Sequence, residues 1–184
     1  MAAGHTTLLD RGNTTSSSHI FQFAGADNVT LDHLSMTGAY HAVLLASGVD
    51  SDNITVSNSE MYCNASDGLN VQTGNEGFLL VGSNVRENAS SGITLNALRG
   101  AITGNALWGN GQWGISASAS GATNRSDWMV VSGNRSFDNA NGIYGWTNVE
   151  VRENEAWGNG IGVQVENQAL ALQHIVQAQP QGSR

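Results

Sequence analysis

Apolar and polar residues alternate in short runs along nearly the whole chain. "NITV", "FLLV", "MVV" and "NVEV" lie on one side of a recurring six-residue unit, and "DGLNV", "SGITL", "WGIS", "NGIYG" and "IGVQV" on the other. A period of two over three to five residues marks a β-strand with one buried face, and no helical period survives in this region. The unit between the runs is Asn-x4-Asn: "NALWGN" (105–110), "NRSFDN" (134–139) and "NEAWGN" (154–159), with Ser first in "SEMYCN" (59–64) and "SNVREN" (83–88). The glycines that follow, Gly68, Gly92, Gly114, Gly142 and Gly162, are separated by 24, 22, 28 and 20 residues. Short strands repeated in one order cannot make hairpins, which reverse direction, but they can stack in parallel, one coil about 4.8 Å above the last. The predicted fold is all-β, a single-stranded parallel β-helix (solenoid) of about six to seven coils.

Alternation assigns the faces. Leu69/Val71, Ile93/Leu95, Ile115/Ala117 and Val163/Val165 point inward after the glycine, and Val29/Leu31, Ile54/Val56, Phe78/Leu80, Met129/Val131 and Val149/Val151 on the preceding strand. Asn64, Asn88, Asn110, Asn139 and Asn159 recur at one position of every coil, where amides can bond to their equivalents above and below, so a structural ladder is expected rather than a ligand site. The seven Asn-x-Ser/Thr sequons follow from an Asn-, Ser- and Thr-rich composition and carry no separate meaning. "NQALALQHIVQAQ" (167–179) lacks glycine and alternation, and Leu172 and Val176 sit four apart. A helix there would cover the edge of the last coil, with Pro180 closing it. The expected organisation is a β-helix over 1–167, with further coils or a cap upstream, and a helix or tail over 168–184.

Composition narrows the partners. A net charge of −8, with seven arginines and no lysine among 184 residues, argues against nucleic acid, which needs a basic stripe, and excludes lysine chemistry. It also disfavours tight capture of polyuronates without a bridging cation. Cys63 is the only cysteine, so no intrachain disulfide forms. The first ten residues lack the pattern of a signal peptide, and no stretch reaches the ~20 apolar residues of a membrane span.

From about Ile20 to Asn167 the coil pattern resembles the right-handed β-helix repeats of the pectate-lyase-like superfamily, including NosD-like and other carbohydrate-processing domains. The resemblance implies a polysaccharide or glycan partner, a lyase, hydrolase or epimerase activity, and an extracellular, periplasmic or cell-surface location. "NASDGLNV" is similar to the acidic turn where some β-helix pectinases bind calcium, but Ser66 and Asn70 stand where such families place aspartates, which leaves Asp67 alone. The arginine and proline motif of the pectate lyases is absent.

Candidate chemistry lies at the turn before the repeat glycine. Aligning "HIF", "HAV" and "DGL" puts His19, His41 and Asp67 in one file, about 5 Å apart, continued by Ser91, Trp113 and Asn141. One reading makes His41 a general base beside Tyr40 with Asp67 orienting its imidazole. A second makes the three a metal site, since two His and a carboxylate form a known ligand set. A third leaves them unconnected. Asn70, Tyr144, Trp146, Trp113 and Arg86 are the candidate substrate contacts. Arg86 belongs to an outward file of Tyr62, Arg86, Trp108, Phe137 and Trp157, read either as a sugar-binding ribbon or as a self-stacking ladder. Glu166 is the one acid on the outer face after the glycine, so a paired-carboxylate hydrolase finds no support there, and Glu87 and Asp138, two coils apart, suit an inverting pair poorly. Three functions follow: a polysaccharide-active domain, a non-catalytic glycan-binding or structural β-helix, and a metal-handling protein.

Overall fold

The structure is a computed structural model and describes residues 7–177. Each coil contributes one strand to each of three sheets, and every pairing between strands of a sheet is parallel. Sheet A has eight strands, from Thr7–Asp10 to Ile175–Gln177, and includes Glu60–Tyr62, Asn84–Arg86, Ala106–Trp108, Arg135–Phe137 and Glu155–Trp157. Sheet B has seven: His19–Phe23, His41–Leu45, Leu69–Val71, Ile93–Asn96, Trp113–Ser118, Asn141–Gly145 and Val163–Val165. Sheet C has seven as well, from Thr30–Asp32 to Leu170–Leu172. The chain runs from B to C to A and back to B about seven times, so the solenoid has the predicted class and length.

The inward files fall as the alternation assigns them. Leu69, Ile93, Ile115 and Ile143 stack in register on sheet B, and Val56, Leu80, Ile102, Val131 and Val151 on sheet C. All are essentially inaccessible to water. Met61, Val85, Leu107, Ser136 and Ala156 supply the third wall from sheet A. The core is therefore a column one coil wide, in which the inward side chains of successive coils lie in register.

Two polar ladders run up the corners of this column. In the first, the Oδ1 atom of each Asn accepts from both the main-chain N–H and the Nδ2 of the Asn one coil below: Asn64 to Asn88, Asn88 to Asn110, Asn110 to Asn139 and Asn139 to Asn159, at 2.8–3.2 Å. Their Nδ2 groups also donate to inward carbonyls, such as Asn110 to Val85 and Asn139 to Leu107. The second ladder was not expected. The first residue of each six-residue unit does the same work at the C-to-A corner, through Ser59, Ser83, Asn105, Asn134 and Asn154. Its signal was present in the spacing, since the two Asn positions of the unit recur together.

Residues 168–177 correct one expectation. No helix forms there: Leu170–Leu172 joins sheet C and Ile175–Gln177 joins sheet A, as a further coil. Parallel pairing with the coil below outweighs the weak four-residue apolar spacing, and Leu172 and Val176 stand exposed rather than forming a helical face. Pro180 lies outside the described residues. The 28-residue spacing between Gly114 and Gly142 is accounted for by a loop that leaves the coil between sheets B and C. The loop holds a 3-10 turn at Arg125–Asp127, and the Arg125 guanidinium lies 4.8 Å from the Trp128 ring centroid and pairs with Glu150.

Candidate functional site

Strand register brings the predicted file together. His19 pairs with His41, and the pairings Val43 with Leu69, Leu69 with Ile93 and Ile93 with Ile115 carry the same position through Asp67 and Ser91 to Trp113, which itself pairs with Asn141. The His19 and His41 rings stack with centroids 5.4 Å apart, and Tyr40 meets His41 edge-on at 4.7 Å. His41 and Asp67 are both buried.

Asp67 orients the His41 ring, but through its main chain. His41 Nδ1 lies 3.2 Å from the Asp67 amide nitrogen and 3.4 Å from its carbonyl oxygen. A buried N–H must donate, so Nδ1 accepts and the ring proton sits on Nε2. The Asp67 carboxylate is engaged elsewhere: Oδ1 accepts from the Ser91 N–H at 3.0 Å and Oδ2 from Asn70 Nδ2 at 2.8 Å. The expected carboxylate-to-imidazole link is therefore replaced by a turn-closing role for the carboxylate. Among the described residues no group of three His, Cys, Asp or Glu side chains could hold a metal ion. The reading of His19, His41 and Asp67 as a metal centre finds no geometry, and the carboxylate a calcium ion would need is already committed.

Burial pushes the pKa of His41 down from its usual 6.5, against the opposing pull of Asp67. His19 is lowered too, first by burial and then by the neighbouring His41. A histidine whose folded pKa is depressed favours the folded state in its neutral form. The stability it contributes is complete above pH 6.5 and is lost as pH falls from there through the lower folded-state values. The melting temperature should therefore decline between pH 7 and pH 5, and His41→Gln should flatten that decline. An unchanged slope in the variant would remove His41 as its source.

The outer face of sheet B continues this corner. Its outward residues in register are Leu44, Asn70, Thr94, Ser116, Tyr144 and Gln164. Trp113 stacks on Tyr144 at 5.1 Å, and Trp146, beside Tyr144 on the same face, is 45% exposed. The Tyr144 hydroxyl donates to Glu166 at 3.1 Å, and Gln164 donates to the other oxygen of that carboxylate. One coil below Trp113 stands Ser91, too small to cover an indole. Trp113 therefore forms a step: a ring packed on one side against Tyr144 and bordered on the other by short side chains.

The aromatic file of sheet A is different. Trp108, Phe137 and Trp157 stack at 5.5 and 4.6 Å with their planes within 7°. The Arg86 guanidinium lies between Tyr62 and Trp108, 4.3 and 5.9 Å from their centroids. It also pairs with Glu60 at 2.7 Å and with Glu87. Rings stacked this way spend their facing surfaces on one another and turn edges outward, so the faces within the file are not open to a pyranose. This file is a self-stacking ladder, and Arg86 has its acidic partners already. Glu87, tied to Arg86, does not converge with Asp138 as a catalytic pair.

Stacked coils of three parallel sheets with inward amide ladders define a parallel β-helix. The chain belongs to the right-handed β-helix family, whose description, "Right handed beta helix region", matches residues 18–173. Among solved structures it is similar to the A-module of the Azotobacter vinelandii mannuronan C-5 epimerase AlgE4, with 17% identity, a TM-score of 0.65, and 80% of this chain covering 41% of that one. The periplasmic alginate epimerase AlgG, as its T265N mutant, matches at 14% identity and a TM-score of 0.54, over 88% of this chain and 48% of that one. These likenesses are of fold, and the chain spans under half the length of either structure. No curated protein sequence matches it. Among the described residues no helix is long and apolar enough to cross a membrane.

Proposed function

We propose that the chain holds a polysaccharide strand along the outer face of sheet B, as the glycan-contacting part of a carbohydrate-active β-helix protein working outside the cytoplasm. The Trp113 step carries this reading. It is a ring packed on Tyr144, itself beside exposed Trp146, and bordered below by short residues. The polar row of Ser116, Thr94 and Asn70 descends from it until Leu44 interrupts it in the coil of Tyr40 and His41. Aromatic faces with hydroxyl and amide groups alongside are what a pyranose chain needs, and a parallel sheet repeats such contacts at the coil spacing. The structural neighbours named for alginate epimerase activity agree with a polysaccharide partner. Trp113→Ala should weaken binding across a glycan array at least about tenfold while the unfolding midpoint shifts little. Binding unaffected by Trp113→Ala and Trp146→Ala together would remove this face.

A second reading adds chemistry at the lower end of the face. Two stacked histidines held toward the neutral form, with Tyr40 against them, place three groups able to move protons in one corner. In this reading His19 exchanges a proton with a bound sugar, while His41, positioned by the Asp67 main chain, can only donate a hydrogen bond from its Nε2–H. His19→Gln should then abolish product release from a glycan while leaving binding, and the melting temperature at pH 7 and above, near those of the parent. Equal rates in parent and variant would leave the face as a binding surface alone.

A further inference from the structure

We infer that the sugar units seated against Trp113, Tyr144 and Trp146 carry no negative charge, which narrows the substrate class of the glycan-binding face proposed above and rests on that reading. The distribution of charge carries the inference. Among the described residues no arginine lies on sheet B, and the chain has no lysine. Arg86 and Arg135 stand on sheet A, Arg86 held by Glu60 and Glu87 and Arg135 in register with Glu155. Arg152, at the end of a sheet C strand, and Arg99 and Arg125, in the turn and loop leading into that sheet, are committed to Glu76, Asp127, Glu150 and Glu153. Arg11 belongs to the lowest described coil, across an end cavity of about 310 Å³ from His19. Four register steps separate His19 from Trp113, which is about 19 Å of solenoid.

What does stand beside the aromatic group is an anion. The Glu166 carboxylate is exposed and held in place by Tyr144 and Gln164, one register step above Trp146. A carboxylate fixed beside aromatic rings accepts hydroxyl hydrogens from a neutral sugar. The same group repels a uronate carboxylate seated a few ångströms away, more strongly where ring and sugar displace water, and among the described residues no neighbouring cation offsets this. The net charge of −8 adds a weaker repulsion of the same sign toward any polyanion. The surface therefore selects for uncharged sugars by what it lacks as well as by what it presents.

The test is retardation of the full chain in native gels cast with an uncharged β-glucan or xylan, or with alginate or polygalacturonate, at low ionic strength with EDTA. An uncharged polymer should retard the parent, Trp146→Ala should weaken that retardation about tenfold, and either uronate should bind at least about tenfold less tightly. Glu166→Arg changes an exposed side chain and should gain uronate retention. Parent protein held more tightly by a uronate than by the uncharged polymers would overturn the inference. If that uronate binding were lost in Trp113→Ala, the glycan-binding face would stand and only its charge preference would fall. Retention by none of the polymers would remove both.

Discussion

Asn110→Ala is expected to lower the stability of the solenoid by about 2–4 kcal/mol, as a shift of the urea midpoint to lower concentration. Asn110 is buried in the middle of its ladder. Its Oδ1 is the acceptor for both the N–H and the Nδ2 of Asn88, and its Nδ2 donates to Asn139 and to the Val85 carbonyl. Alanine leaves the Asn88 N–H with no acceptor in a place water does not reach, and it adds a small void. Asn139 is spared, because the Asn110 main-chain N–H still donates to its Oδ1. Asn110→Asp is the sharper variant: shape and the acceptor for Asn88 survive, but an oxygen then faces the Val85 carbonyl and the Asn139 Oδ1. It should destabilise more than alanine at neutral pH, and a milder effect than alanine would argue that shape, not bonding, matters here. Each coil meets only its neighbours, so local damage in such a stack can split unfolding into two transitions.

Gly92→Ala is expected to cost about 1–3 kcal/mol, comparable to overpacking a core, although only a methyl group is added. The reason is proximity. Gly92 lies outside the left-handed region, so its backbone is open to alanine. An added Cβ, however, would lie 2.8 Å from the Gly114 carbonyl oxygen in the next coil and 2.9 Å from the Asn110 amide nitrogen. Neither can retreat: the first belongs to a parallel strand and the second to the ladder. Gly68 meets the same two kinds of atom, the Gly92 carbonyl and the Asn88 amide, both at 2.9 Å. The repeat glycine and the ladder asparagine therefore occur together because each occupies room the other leaves. Gly104→Ala is the control for backbone strain, with a positive φ of 65° and nothing within 4 Å of an added Cβ. A Gly92→Ala loss no greater than that of Gly104→Ala would show that crowding contributes little.

The fold was legible because a solenoid writes its geometry into sequence as a period. Inward Ile93, Leu95 and Ile115, the Asn64-to-Asn159 ladder and the shared file of His19, His41 and Asp67 all followed from aligning coils. What did not follow depended on atoms rather than positions. Alignment placed Asp67 beside His41 but could not show that its amide, not its carboxylate, meets the imidazole, because both lie at the same step of the sequence. It placed Tyr62, Arg86 and Trp108 outward but could not show that ring planes lie across the solenoid axis and hide their faces. The final coil was misread for a related reason. Residues 170–177 carry little alternation of their own, and become strands because the coil below offers a paired edge.

One consequence of the coil architecture concerns how such a surface can change. The Trp113 step and the His19–His41 pair lie on one face but share no loop, so their separation is counted in whole coils. Three register steps, about 14 Å, take His41 to Trp113. Gain or loss of one coil between them would leave both ladders bonded as before and would move the aromatic step by a single fixed increment. The sheet behaves as a ruler with interchangeable divisions, on which the reach between two contacts can be reset without rebuilding either.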